Sequence, residues 1–173
     1  VLAERLAEAN EVTGFAPYIF AQAMLAKGSV TTGALIRGIV PDQERSVSKV
    51  LNNFRSGDLD EFNSGNWGVA LGSELASKLG AATGDKITVI APRGRVSIVG
   101  ALPTLKRFTV VAIFELGMYE YDSTLALMQI DDAAQLFQSK IGAVSGLRLS
   151  VEDVYRAPLI RSNIANKLWS EFL

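Results

Sequence analysis

The stretch KITVIAPRGRVSIVGALPTLKRFTVVAIF, residues 86–114, decides how the rest of the chain is read. Two strand-like runs, Lys86–Ala91 and Phe108–Phe114, flank the connection RGRVSIVGALPTLKRF (93–108). Hairpin connections are normally about two to five residues long and rich in Gly, Asn or Asp. This one instead carries Val96, Ile98, Val99, Leu102 and Leu105, with Arg93 and Arg95 before them and Lys106 and Arg107 after. Such a composition suits either a loop folded back over its own core or a projecting hairpin whose apolar tip meets a partner. Gly94, Gly100 and Pro103 favour a defined turn. Apolar surface flanked by charge is where partners dock, and cations at its base add steering and register. The hairpin is expected over 92–107.

Charge points the same way. The chain carries a net −1, yet residues 86–114 hold five basic residues and no acidic one. A basic segment on an acidic body suggests one localised contact surface. The near-neutral total excludes a chain-wide surface for nucleic acid. Cys and His are both absent, so disulfides, thiolate or imidazole metal sites and His-dependent triads are excluded. The longest apolar run, Val110–Phe114, is far short of the roughly 20 residues of a membrane helix. The chain opens in the helical pattern VLAERLAEA and closes in another, KLWSEFL. The expectation is a fragment of a longer protein, whose flanks have room for membrane spans.

Outward from the hairpin, periodicity predicts an α+β fold with helices at both ends and a strand-rich middle. Leu2, Leu6 and Ala9 recur at helical spacing. Tyr18–Leu25 and Val30–Val40 read as strands around a turn at Lys27-Gly28, with Gly33 and Gly38 marking bulges or close backbone approach. Asp42 is expected to cap a short helix with Val47, Val50 and Leu51 inward. Asn52–Gly68 reads as a loop anchored by Phe54, Phe62 and Trp67. Val69–Leu71 is a strand, Ser73 caps a helix over Glu74–Leu79, and Gly80 closes it in a left-handed conformation. Leu125–Ile130 is a strand, Asp131 caps a helix to about Phe137, and Val144–Val151 is half-buried. The last helix starts near Pro158 and lines up Ile160, Ile164, Leu168 and Phe172.

Few residues suggest chemistry. Ser46 and Lys49 have the S-x-x-K spacing of a Ser-Lys pair, but the partner motifs are missing and a helix surface explains the spacing. Asp58, Asp60 and Glu61, Glu120 with Asp122, and Asp131 with Asp132 are carboxylate clusters. Acid–base catalysis needs carboxylates held apart across a cleft, whereas these sit in loops or at a helix start. Asp58–Glu61 lacks the spaced ligands of a calcium loop. Gly65, Gly68 and Gly72 match neither a P-loop nor a dinucleotide fingerprint. The expectation is a protein that is not an enzyme and uses no cofactor.

Five segments, in order, carry a resemblance: GALIRGIVPDQE, GVALGSELASKLGAATGDKITVIAP, VGALPTLKRFTVVAIFELG, ALMQIDDAAQLF and VSGLRLSVEDV. Over roughly Gly33 to Val154 the chain resembles the periplasmic domain of lipoprotein-releasing permeases, the LolC and LolE membrane subunits of the LolCDE transporter. The resemblance implies a MacB-like periplasmic core on an inner-membrane permease of a Gram-negative bacterium. A mixed α/β Porter subdomain, 1–45 plus 145–173, would be interrupted by a β-rich Sabre subdomain, 46–144, bearing the hairpin. In the LolC type that hairpin, the Hook, recruits the lipoprotein chaperone LolA together with an adjacent surface, the Pad.

The implied partner-binding residues are Arg95, Val96, Ile98, Val99, Gly100, Leu102, Pro103, Leu105, Lys106 and Arg107. Gly100-Ala101-Leu102-Pro103 matches the Gly-x-x-Pro tip, Val99 an apolar tip position and Lys106 a basic position behind it. Leu105 and Ala101 depart from the family, which has a polar and a basic residue there. The other implied partners are a lipoprotein substrate, a sister permease and a LolD-like cytoplasmic ATPase; membrane contact would come through flanking spans. Neighbouring readings are a LolE-like subunit that meets the lipoprotein, a fused type serving both roles, and a MacB-type efflux permease with an adaptor partner. Burying about 200 Å2 of apolar hairpin would favour docking by roughly 5 kcal/mol before association costs.

Overall fold

The structure, a computed structural model, describes residues 12–59, 62–92, 96–97, 100–139 and 142–169. The helix expected over Leu2–Ala9 lies outside the described residues. The elements run β1 (Val12–Lys27), β2 (Val30–Ile39), α1 (Pro41–Glu44), a 3-10 turn (Val50–Asn52), β3 (Phe54–Gly57), β4 (Gly68–Gly72) and α2 (Ser73–Leu79). They continue with β5 (Lys86–Ala91), β6 (Val96–Ser97), β7 (Gly100–Ala101), β8 (Thr104–Phe114), α3 (Tyr119–Asp122), β9 (Leu125–Gln129) and α4 (Ile130–Leu136). β10 (Gly146–Val151), a 3-10 turn (Val154–Arg156) and α5 (Ala157–Trp169) complete the order. The α+β class holds.

Eight strands share one sheet, in the order β10-β1-β2-β9-β4-β8-β3, and β5 pairs with both β1 and β8. The pairing therefore closes on itself, β1–β2–β9–β4–β8–β5 and back to β1. Closure leaves these six strands without a free edge along the paired segments, which is how β proteins avoid edge-to-edge aggregation. Leu25, Ile36, Val69, Val89, Val110 and Leu127, one from each strand of the circuit, are fully buried in the core. β1 is long enough to serve three neighbours: Val12–Tyr18 pairs with β10, Tyr18–Lys27 with β2 and Met24–Ala26 with β5.

Gly38 is a close approach, as expected. A Cβ there would sit 2.6 Å from the Cβ of Ala133, so its absence lets α4 seat against β2. The β1–β2 ladder runs without a bulge from Tyr18↔Ile39 to Lys27↔Val30. Gly80 closes α2 at φ 61, the left-handed value that glycine adopts without steric cost.

Several expectations are corrected. Phe54–Gly57, read as loop, is a strand antiparallel to β8. The cap of α4 is Gln129, whose side chain accepts from the Asp131 and Asp132 amides, and not Asp131. Gly72 holds the N-cap position of α2, with Ser73 already helical. Val40 precedes α1, whose first residue is Pro41, so Asp42 is inside the first turn and not the cap. β8 begins at Thr104, four residues before the expected start, and this lengthens the hairpin stem.

Candidate partner-docking hairpin

The stem of the hairpin is the β5–β8 ladder, six pairs from Lys86↔Thr109 to Ala91↔Thr104. Beyond it β6 and β7 form their own two-stranded sheet, Val96↔Ala101 and Ser97↔Gly100. Strand side chains alternate between faces. On β8 this sends Phe108 inward, where it is buried, and leaves Leu105 and Arg107 exposed on the outer face. Leu102 and Leu105 are each 60% exposed, and Pro103 is exposed between them. These apolar groups at the hairpin base are not folded back over the core. Arg95, Ile98 and Val99 lie outside the described residues, and Val96 and Gly100 are placed by backbone pairing alone.

Leu105 is one end of an apolar row. It lies opposite Ile90, which in turn lies opposite Met24 on β1, so three strands place Met24, Ile90 and Leu105 side by side. Met24 is 49% exposed and Ile90 half-buried. Pro92 and Pro103 extend the row into a groove of about 620 Å3 that also includes Met24 and Leu35. Sequence reading missed Met24, Ile90 and Pro92. β1 is apolar on both faces from Ala21 to Ala26 except at Gln22, so hydropathy alternation gave no signal.

A second set of contacts holds the stem in place. The Lys106 ammonium sits 3.9 Å from the centroid of the Trp67 ring, a cation–π contact, and Trp67 meets Phe108 edge-on at 5.4 Å. Trp67 has φ 55, an unfavourable backbone conformation for a bulky residue. Three hydrogen bonds hold it there. Asp132, buried at the start of α4, accepts from the Gly65 amide at 2.7 Å and the Trp67 amide at 3.1 Å, while the Trp67 carbonyl accepts from the Thr109 amide at 2.9 Å. At the other end of α4 the Gln138 amide donates to the Thr104 hydroxyl at 3.1 Å. Between stem and α4 lies an open groove of about 920 Å3, bordered by Leu102, Pro103, Ala134, Gln135 and Gln138.

Two of the residues weighed for chemistry, Ser46 and Asp122, make structural hydrogen bonds. Ser46 donates to the Gln43 carbonyl at 2.7 Å. Asp122 accepts from the Leu116 and Gly117 amides at 2.7 and 3.0 Å. Asp60 and Glu61 lie outside the described residues. Among the described residues no group of His, Cys, Asp and Glu could hold a metal ion, and no helix is long and apolar enough to cross a membrane.

Comparison with known proteins follows the same outline. Residues 1–166 match the family described as MacB-like periplasmic core domain. The chain is 39% identical over 149 residues to the lipoprotein-releasing system transmembrane protein LolC of Neisseria meningitidis, covering 86% of this chain and 36% of that protein. Identity to the transmembrane protein LolE of Haemophilus influenzae is 25% over 157 residues, 90% of this chain and 37% of the relative. The chain thus spans little more than a third of these relatives. The periplasmic region of MacB from Actinobacillus actinomycetemcomitans superposes with a TM-score of 0.60 at 12% identity, over 98% of this chain and 72% of the other. At that identity the likeness concerns the fold.

Proposed function

We propose a function from one premise: the chain belongs to the MacB-like periplasmic core domain family and is LolC-like within it. It acts as the periplasmic domain of an inner-membrane permease in a lipoprotein-releasing ABC transporter. Hairpin 92–107 recruits a LolA-like chaperone, to which outer-membrane lipoproteins are passed. ATP hydrolysis takes place on a separate LolD-like cytoplasmic subunit, and a sister permease completes the complex. The domain performs no bond chemistry and uses no cofactor. In the proposed subdomain division, 1–45 plus 145–173 form the Porter part and 46–144 the Sabre part. β1 serves both, through β10 at one end and β5 at the other.

The observation that carries the reading is the exposed apolar base of the hairpin, Leu102, Pro103 and Leu105, continued by Ile90 and Met24. A carrier that holds acyl chains has apolar surface to offer such a row. Arg107 adds exposed charge for steering, and Lys106 steadies the stem on Trp67. Most of the gain from burial is offset by ordering both partners, which leaves the transient affinity a shuttle requires. The higher identity to LolC than to LolE favours the chaperone over the lipoprotein as the hairpin's partner.

A pull-down of purified LolA by this domain tests the proposal. Capture should be strong with the wild type and lost in Pro103→Asp, with the melting temperature unchanged because Pro103 is exposed. Equal capture by both proteins would remove the hairpin from the account. Capture of lipoprotein but not LolA would favour the LolE-like reading.

A further inference from the structure

Farther along the same face of β1, away from the hairpin, Tyr18, Phe20, Arg37, Ser145 and Arg148 line a groove of about 490 Å3. Register assembles it. Phe20 lies opposite Arg37 in the β1–β2 ladder, Tyr18 lies opposite Gly146 in the β1–β10 ladder, and Arg148 is two residues on along β10. A Cβ on Gly146 would sit 2.8 Å from the Tyr18 hydroxyl, so glycine is what allows the phenol to lie across β10. The Ser145 hydroxyl accepts from the Phe20 amide at 2.8 Å and is committed to the backbone as part of the wall.

Charge in this groove does not cancel. Glu44, fully buried on α1, accepts through Oε1 from Arg148 Nη1. With that pair formed, two guanidinium groups and one carboxylate leave the groove with a net positive charge, although Glu44 also attracts Arg37. Among the described residues no hydrogen bond or ion pair ends on the Arg37 guanidinium or the Tyr18 hydroxyl. Polar groups held away from bulk water are normally satisfied, and a half-buried guanidinium has five donors to place. Burial, and after it the neighbouring Arg148, holds Arg37 below the ordinary arginine range, and an anion in the groove would offset both effects.

We propose that Arg37, Arg148 and Tyr18 form a phosphate-binding site, which takes inorganic phosphate or the phosphate of an anionic phospholipid headgroup. The guanidinium fork of Arg37 matches two oxygens, and the remaining N–H groups of Arg148 and the Tyr18 phenol reach for others. A tetrahedral phosphate can offer a separate oxygen to each of these three donor groups, whereas a carboxylate must share its two.

The test is calorimetric titration of inorganic phosphate into the chain, paired with flotation on vesicles of phosphatidylglycerol and, separately, of phosphatidylcholine. The wild type should bind phosphate saturably, Arg37→Gln at least about tenfold more weakly, and Tyr18→Phe more weakly by a smaller factor. Arg55→Gln is the control, because Arg55 pairs with Glu115 away from this groove. Arg37-dependent flotation on phosphatidylglycerol alone assigns the site to the lipid headgroup, and phosphate binding without flotation assigns it to the free anion. Arg37→Gln should remain folded, since among the described residues no hydrogen bond or ion pair ends on its guanidinium and only its electrostatic attraction to Glu44 is lost. Should that variant fail to fold, Tyr18→Phe decides, and unchanged affinity in it overturns the proposal. Failure of the wild type to bind either probe, or wild-type binding by Arg37→Gln, also overturns it.

Discussion

The two ends of one face of β1 are built in opposite ways. At the hairpin end, Met24, Ile90 and Leu105 form a row that leaves apolar groups in solvent over a firmly anchored stem. At the arginine end, Arg37, Arg148 and Glu44 place charge in partly or fully desolvated positions, and a single ion pair sets the balance. An exposed apolar residue contributes little to folding and can be traded away at small cost. A buried ion pair is different, because losing one partner leaves an uncompensated charge in the interior. The contrast separates exposed positions where a change leaves the fold intact from one ion pair, Glu44 with Arg148, that the fold cannot spare.

The largest expected effect tests the arginine end. Arg148→Met, which leaves Glu44 buried without its partner, should lower the urea unfolding free energy by about 3 kcal/mol. The double variant Glu44→Leu/Arg148→Met should recover most of that loss, since apolar groups of similar size replace both charges. A single variant as stable as the wild type would mean that the pair does not hold α1 against β10.

Next in size is the mount of the hairpin. Asp132→Ala removes the acceptor for two backbone amides in the loop that carries Trp67, and should cost about 2 kcal/mol. It should also weaken carrier capture, because Trp67 no longer has a fixed place beneath Lys106. Lost stability with unchanged capture would uncouple the clamp from docking.

The smallest effect is a pair of opposite pH dependences. The hydrogen bond from Lys27 at 2.5 Å, and then that from the Ala82 amide, hold the Asp85 carboxyl below the usual carboxylate range. Its contribution to stability is present above the unfolded-state pKa and is lost as pH falls through the folded value. Burial pushes Glu44 upward against the pull of Arg148, so its contribution is present below the unfolded-state pKa and is lost as pH rises through the folded value. Urea midpoints measured across the carboxylate range should fall less on acidification in Lys27→Met. They should fall less on raising the pH in Glu44→Gln.

The same two ends differ in how far sequence reveals them. The hairpin is contiguous, and its mix of aliphatic and basic residues between two strands marks it without any knowledge of the fold. The arginine groove combines residues 18, 37, 44 and 148, which only the pairing of β1 with both β2 and β10 brings together. Closure of the six-strand circuit was equally hidden, since it depends on three residue pairs between β1 and β5, strands far apart in sequence. Phe54–Gly57 carries one apolar residue in four and gave no strand signal, so its pairing with β8 decided its conformation. The cap of α4 was misplaced by two residues: Asp131 looked like the cap by type, but the Gln129 side chain takes that place. Asp132 instead faces the Trp67 loop, a role that no local pattern announces.

Calorimetric titration of purified LolA into the wild type, Leu105→Asp and Leu159→Asp compares the same change at two exposed apolar positions, 60% and 55% accessible, one on the hairpin and one on α5. Docking through the outer face of the hairpin predicts that Leu105→Asp weakens binding at least about tenfold while Leu159→Asp binds like the wild type, and that both keep the wild-type melting temperature. Wild-type affinity in Leu105→Asp, or a loss confined to Leu159→Asp, would contradict it.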